Sequence, residues 1–477
     1  MFLLAVNSLL ASLPVPASAL PLFGRQTGQN CMACHAGGQF PELTPYGRLF
    51  KMTGYTMGQR TIPVAVMALG TYSRVANTSK SDDPGADFQK NGTPILASAS
   101  LFLGGKLTEN VGAFVQITHD SYATQSPDGR FHGHSQADNI DVRYADRFID
   151  AKRDLIVGVS LNNNPSVADP WNTAPAWMQY VPVPSPTSSR FVDGTAPYPG
   201  YASGGNVAGV TAYAYWNRTV YAEMGGYRTA NGLASFMSAG LDEASTTKLR
   251  GLNPYWRLAW THEWGAHNLM IGTGGMHARI YDNPLDVSDP ATTHRFTDWN
   301  VDTQYQYLLD PHSVTAQLVY AHSRHRYPDS LAGQPAAFVD EAGNPLPDTN
   351  AVDTTNLMRM KLTYVYRARY GGSLAFFNLN GSTNTALQTS GFDPTTLTIT
   401  SDPAAQAPSA RVGGNLSGNP GTRGWTLEAF WMPLQFVRVG AQYTLYTRFN
   451  GASDSYDGFG RNARDNNTMF LYVWAAY

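Results

Sequence analysis

Charge is scarce in this sequence. Lys, Arg, Asp and Glu make up 14% of its 477 residues and the formal net charge is −2, so the basic surface that nucleic-acid binding requires is missing. Long apolar runs are missing too: none reaches the roughly 18 residues of a transmembrane helix, which excludes helical spans. Cysteine is rarest of all, with two in the chain, Cys31 and Cys34. Lysine and arginine do not occur before Arg25, so the apolar run 2–13 and the small-residue site Ala17-Ser18-Ala19 read as an export signal without its usual basic start. Residues 1–19 are expected to be removed before Leu20, because an apolar run of about 12 residues is too short for an N-terminal anchor.

Aromatic residues and glycine are plentiful. Aromatics reach 12% and glycine 45 residues, a mix too aromatic and too Gly-rich for an ordinary soluble enzyme. With helical spans excluded, a membrane protein of this composition is a closed barrel.

Both cysteines fall in one pentapeptide, Cys31-Met32-Ala33-Cys34-His35. The spacing C-x-x-C-H is the attachment signature of a c-type haem: the two thiols add across the porphyrin vinyl groups, and the adjacent imidazole ligates the iron. A structural disulfide, a thioredoxin-like dithiol and half of a zinc site are the other readings. A dithiol belongs in a βαβ pattern that is absent here, and zinc needs more soft ligands than these. One covalently bound haem c is therefore the expected cofactor. Haem attachment of this kind is exported-protein chemistry, in keeping with the N-terminal signal.

From about residue 62 onward one theme repeats, roughly ten residues of apolar/polar alternation ended by a turn. Candidate strands are 62–74, 94–107, 110–119, 139–148, 153–161, 208–216, 218–227, 252–264, 266–280, 297–309, 312–324, 355–367, 371–380, 424–432, 435–449 and 467–477, about sixteen in all. The stretches near Ala208 and Gly371 alternate less clearly, since Gly and Ala dilute them. Tight turns and long polar loops strictly take turns along the series, as in transmembrane barrels with short periplasmic turns and long extracellular loops. In 435–449, Val437, Val439, Ala441, Tyr443 and Leu445 alternate with Arg438, Gly440, Gln442 and Thr444. In 297–309, Trp299, Val301, Tyr305 and Tyr307 oppose Asn300, Asp302, Gln304 and Gln306. One face suits lipid and the other a wet lumen. The expected fold is an all-β, 16-stranded antiparallel porin-like barrel over 61–477, preceded at 20–60 by a small helical c-type haem domain. Both barrel ends are expected on the periplasmic side, and a last strand closing on Tyr477 resembles the assembly signal of outer-membrane barrels.

About 40 residues are at the lower limit for an independent fold, so the haem segment is expected to lean on the barrel, in the lumen or at its mouth. Thr44-Pro45 starts a helix that Gly54 stops. Tyr46, Leu49, Phe50 and Thr53 share one face of it, to pack on the porphyrin or the barrel wall. Met57 and Met52 are the nearest candidates for the second axial ligand, Met57 ahead because Met52 lies off the apolar stripe; a Met in such a place is more often mere packing. His119, His277 or no sixth ligand stay open.

The run Phe23-Gly24-Arg25-Gln26-Thr27-Gly28, the haem motif, Pro41-Glu42-Leu43-Thr44-Pro45-Tyr46-Gly47-Arg48, Phe50-Lys51 and Gly54-Tyr55-Thr56 resemble the fused outer-membrane cytochrome–porins of iron-oxidising bacteria. Asn162-Asn163-Asn164-Pro165, Asp169, Trp171-Asn172-Thr173 and Ala176-Trp177 look like a second stretch of that family. The family carries Ala, Phe and Leu where Gly24, Tyr46 and Met52 stand, and the last departure weakens Met52 as an inherited ligand. The resemblance implies an outer-membrane oxidoreductase in which one haem takes electrons from extracellular ferrous iron and passes them to periplasmic cytochromes or copper proteins.

Such outer-sphere transfer needs neither a nucleophile nor a proton-handling dyad, and no catalytic triad or carboxylate pair stands out in the sequence. His132 and His134, with Asp120, Asp128 and Asp138, read either as a ferrous-ion collector or as solvated loop residues. Arg143, Arg147, Arg359, Lys361 and Arg438 read as inward cations, for haem propionates or for lumen acids such as Asp141 and Asp302. A diffusion porin plugged by a cytochrome, and electron transfer from a donor other than iron, are the alternative functions.

Overall fold

The computed structural model describes residues 21–38, 42–61, 64–77, 92–125, 130–172, 206–240, 248–281, 283–289, 291, 293–327, 339–340, 350–384, 392–393, 398–399, 414–458 and 460–477. The export signal, Asp128, Thr173 and Ala176-Trp177 lie outside the described residues.

Alternation written into the chain becomes a closed antiparallel barrel. Its strands are β1 (Val64–Val75), β2 (Pro94–Lys106), β3 (Val111–Gln125), β4 (Phe131–Ile149), β5 (Asp154–Asn162), β6 (Val207–Trp216), β7 (Val220–Thr229) and β8 (Asn253–Trp264). The series continues with β9 (His267–Tyr281), β10 (Thr293–Leu309), β11 (His312–Arg326), β12 (Val352–Tyr366), β13 (Tyr370–Gly381), β14 (Thr422–Leu434), β15 (Val437–Arg448) and β16 (Thr468–Ala476). Each strand pairs with its neighbours in sequence and β1 closes on β16, with Leu69 opposite Trp474. The sixteen expected strands are all present, including β6 and β13. Three two-residue strands, Val339–Asp340, Thr398–Ile399 and Phe392–Asp393, form a separate small sheet.

A period of two decides which side chains see which solvent. Asn300, Asp302, Gln304 and Gln306 of β10 are buried toward the lumen, while Trp299 and Val301 are exposed on the outer wall. On β15, Arg438, Gln442 and Thr444 face in, and Val439 and Tyr443 face out. Leu258, Ile271, Leu362, Leu374, Leu427 and Leu471 continue the exposed apolar belt around the barrel. No helix among the described residues is long and apolar enough to cross a membrane.

Tight turns lie at one end of the barrel and long connections at the other. In the β6–β7 turn Asn217 and Arg218 both take left-handed backbone (φ 48° and 54°), as do Arg367 and Ala368 (52° and 47°) between β12 and β13, the conformation that lets a two-residue turn match strand twist. One expected loop is much shorter than read. The segment 120–138 is mostly strand, because β3 runs to Gln125 and β4 begins at Phe131, with register shifts between Gln116/Ile117 and Asp120/Thr124.

Candidate cofactor site

The N-terminal segment lies inside the barrel, at the end with the tight turns. Helix α1 (Pro21–Thr27) puts Leu22 against the inward residues Ala65 and Phe102, and Phe23 stacks on Tyr55 at 5.5 Å. A single turn, α2 (Cys31–Cys34), carries the pentapeptide, capped by Asn30, whose side chain accepts from the Ala33 amide. Helix α3 (Pro45–Met52) begins where Thr44-Pro45 said it would, with the Thr44 hydroxyl accepting from the Gly47 amide at 3.1 Å. Gly54, at φ 72°, ends it.

Backbone hydrogen bonds fold these pieces into one unit around the cysteines. The Thr44 amide donates to the Cys34 carbonyl (2.9 Å), the Ala36 amide donates to Glu42 (2.8 Å), and His35 bridges Leu43. Gly47 lies so close that a Cβ there would sit 2.2 Å from the Cys34 carbonyl oxygen. Gln26 ties the two ends together: its amide donates to the carbonyls of Tyr55 (2.6 Å) and Met57 (2.9 Å), and its side-chain oxygen accepts from the Lys106 amide of β2.

Seated in this way, the pentapeptide borders the turn end of the lumen. Cys31 Sγ is 3.5 Å from the Gln435 carbonyl oxygen in the β14–β15 turn, and Gly37 and Gly38 abut Val365 and Ala368. Neither cysteine is in a disulfide. Burial and the neighbouring Cys31 push the Cys34 thiol up to about 11, so it is held protonated. Burial pushes the His35 imidazole down to about 4, opposed by Glu42, which keeps it neutral and able to ligate. Its Nδ1 is buried with no hydrogen-bond partner. Two thiols a helical turn apart and outside any disulfide, beside a neutral imidazole with an orphaned nitrogen, fit the donor set of a covalently attached haem.

The helix face expected to be apolar is so in part. Phe50 is buried edge-on to Phe23 at 5.0 Å, and Leu49 packs on the barrel wall. Tyr46 and Thr53 are half-buried. Met52 is buried among Ala145, Ile156, Trp171, Tyr213, Tyr221 and Met270, and its carbonyl accepts from the Tyr213 hydroxyl. Met57 is half-buried on the loop past Gly54.

The polar side of α3 is where sequence reasoning fell short. Arg48 and Lys51, which lie off the apolar stripe of Tyr46, Leu49, Phe50 and Thr53, are both buried. Arg48 donates to the Leu43 carbonyl (2.6 Å) and to Gln304 (3.0 Å), Gln306 (3.2 Å) and Asn268. Lys51 donates to the carbonyls of Val167 and Asp169 (3.1 Å) and to Asn172 (3.4 Å), all in the connection after β5. Burial, with Arg143 nearby, pushes the Lys51 amine down to about 8. That connection folds back into the lumen as α4 (Pro165–Ala168), capped by Asn164, and its Trp171 is 2% exposed. Trp171 lies 5.8 Å below the Arg48 guanidinium and 5.7 Å from that of Arg257, a residue the sequence did not single out.

The inward cations mostly pair with acids. Arg143 bonds Asp141 (2.8 Å), which also accepts from Tyr55 (2.6 Å). Arg438 bonds Glu428 (2.8 Å), and Lys361 bonds Glu42 of the plug (3.0 Å). Arg147 pairs with Asp154 at the turn-end mouth, 2.6 Å, and Arg359 is buried. Asp302 takes Arg257 rather than any of these, at 2.6 and 2.8 Å, while Arg257 also reaches Asp169 at 3.4 Å.

Among its described residues the suggested ion collector does not form a metal site. His134 Nε2 bonds the Ala239 carbonyl oxygen (2.7 Å), Asp138 accepts from Thr118 (2.9 Å), and His132 and Asp120 stand on paired strands. Among the described residues no group of three or more His, Cys, Asp or Glu is placed to hold a metal. His119 bonds Ser135 (3.0 Å) and His277 bonds Thr297 (3.1 Å), both outside the plug and exposed.

No protein-family model matches the chain, and no curated protein matches it. Among solved structures, Pseudomonas putida OprB at high pH aligns with 87% of this chain and 94% of its own, at a TM-score of 0.50 and 12% identity. The outer membrane channel DcaP of Acinetobacter baumannii covers 87% and 96% (TM-score 0.41, 10% identity). Salmonella typhi OmpF in complex with daunomycin covers 87% and 97% (0.43, 10%). The likeness to OprB shows the fold alone, and that fold is a closed, porin-like sixteen-stranded barrel.

Proposed function

We propose that this barrel sits in the bacterial outer membrane with its tight turns periplasmic and its long loops outside, and that it carries one haem c on Cys31, Cys34 and His35. In this reading it oxidises extracellular ferrous iron and hands electrons to periplasmic cytochromes or copper proteins. The observation that carries it is the position of the pentapeptide: it borders the turn end of the lumen, with Cys31 beside the Gln435 turn. Haem c supplies reversible one-electron exchange. Cys31 and Cys34 tether it, His35 offers a neutral nitrogen, and Phe50, Leu49 and Tyr46 furnish the apolar and half-polar surface beside the motif. Met57 is preferred as the further ligand, since Met52 is committed to the barrel-wall cluster.

Polar side chains of this unit fasten it to the surrounding wall. Arg48, Lys51, Tyr55 and Glu42 anchor it to β10, the inward connection, β4 and β12 respectively. Rigid anchoring keeps reorganisation small, which is the main demand of outer-sphere transfer. Ferric iron hydrolyses and precipitates near neutral pH, so a cell gains by leaving that product outside.

Simple diffusion is the competing reading, supported by the porin-like barrel. Mixing the oxidised protein anaerobically with ferrous sulfate in a stopped-flow spectrometer separates them. Electron transfer expects the haem bands to become those of the reduced state within seconds. A protein that lacks haem, or whose haem stays oxidised while planar bilayers show ion conduction, is a porin.

A further inference from the structure

Four arginines stand on the outer wall of the barrel at its long-loop end. Arg295 of β10 is in register with Arg279 of β9 on one side and with Arg326 of β11 on the other. Arg324, two residues before Arg326, sits opposite Thr297. All four point away from the lumen, because Ala278, Phe296 and His325 between them are the inward, buried residues of the same strands. Arg295, Arg324 and Arg326 are exposed and Arg279 is half-buried.

Like charges placed directly opposite in a sheet repel, and among the described residues no carboxylate pairs with this row. None of the four joins an ion pair among the described residues. His277, beside them, bonds Thr297, and Asp286 of the β9–β10 connection accepts instead from Ser288 at 2.6 Å. The opposite rim is built differently: Lys106, Arg147, Arg153 and Arg218 each face a carboxylate.

The height of the row matters as much as its sign. Trp299 packs on Tyr320 (5.7 Å) and His322 (5.4 Å) as an aromatic girdle on the same wall, where such girdles mark the hydrocarbon boundary. Arg295 is four residues further out, roughly 13 Å along the strand, at the depth of lipid headgroups. We propose that Arg279, Arg295, Arg324 and Arg326 bind the phosphates of a phosphorylated glycolipid of the outer leaflet, the diphosphoryl lipid A type. Guanidinium forks take phosphate oxygens in bidentate fashion, and a row of them spaced by neighbouring strands matches a headgroup with more than one phosphate. This inference rests on the outer-membrane, loops-outward part of the reading above and is independent of haem.

The test is native mass spectrometry of the full-length protein in lipid-A-free detergent, titrated with diphosphoryl lipid A, with its dephosphorylated form, and with inorganic pyrophosphate as competitor. Wild type is expected to prefer the diphosphoryl lipid by at least about tenfold, and R279Q/R295Q/R324Q/R326Q to fall within about twofold of no preference. Pyrophosphate at the lipid's concentration should leave the complex intact. Should the quadruple variant lose the heat-modifiable gel shift of a folded barrel, R295Q/R326Q takes its place, with a partial loss of preference expected. Equal binding of the two lipids, an unchanged preference in the variants, or displacement by pyrophosphate overturns the proposal. Ferrous reduction measured on the same samples reports on the haem reading separately.

Discussion

At the scale of single residues the account turns on His35 and Gly47. His35→Ala removes the proposed axial imidazole, and the low-spin absorption of the purified protein should disappear; a retained low-spin spectrum would remove His35 from the ligand set. Gly47 is the contact that seats α3 on the cysteine turn. Its neighbour is backbone, the Cys34 carbonyl, which cannot swing away as a flexible side chain would. Gly47→Ala is expected to cost about 1–3 kcal/mol in the docking of the plug and to lower haem incorporation, read as haem absorbance per polypeptide. Full incorporation with an unchanged melting temperature would show that the turn and the helix are not coupled.

At the scale of elements, the plug and the inward connection after β5 hold one another. Arg257 bonds both Asp302 and Asp169, all three buried. Arg257→Ala leaves two buried carboxylates without that cation, a loss of about 3–5 kcal/mol, and should loosen the connection enough to raise single-channel conductance. Lys51 tests the same junction by pH. Its folded-state amine is pushed down to about 8 from an ordinary 10.5, so the unfolded chain holds the proton more tightly between those values. Stability should therefore rise with pH from about 8 to 10.5 through this group, and the rise should shrink in Lys51→Met. Equal pH dependence of the two melting temperatures would mean that Lys51 is not held charged in an unfavourable site.

Much of this is legible in the sequence. Strands and turns were readable because lumen and lipid impose opposite solvents on alternate residues, and the α3 boundaries because Thr44, Pro45 and Gly54 each have a local backbone reason to be there. Burial of Arg48 and Lys51 was not, since a charged residue on a short helix looks solvated until Gln304 or Asp169 arrives from a strand or connection far away in sequence. The β3–β4 hairpin is longer than its sequence suggests for a related reason: Asp120, His132 and His134 look like loop, yet polar residues cost little in strands that extend beyond the apolar belt. Arg257 carried no motif at all.

At the scale of the whole molecule, a barrel of porin-like shape has its turn end occupied by its own N-terminus. Anchors reach β2, β4, β10 and β12, so the plug touches well-separated parts of the wall. Conductance in planar bilayers should accordingly be far below that of an open sixteen-stranded channel, and Cys31→Ser/Cys34→Ser should change it little while removing covalent haem. A large, steady conductance in the wild-type protein would count for diffusion instead.

The most direct measurement places the protein in vesicles with its tight turns facing inward, oxidised soluble cytochrome c and a ferrous chelator dye trapped inside, and ferrous iron added outside. The account predicts that the trapped cytochrome is reduced within seconds while the dye stays colourless, and that Cys31→Ser/Cys34→Ser abolishes the reduction. A coloured dye with the cytochrome still oxidised would show that iron itself passes and electrons do not.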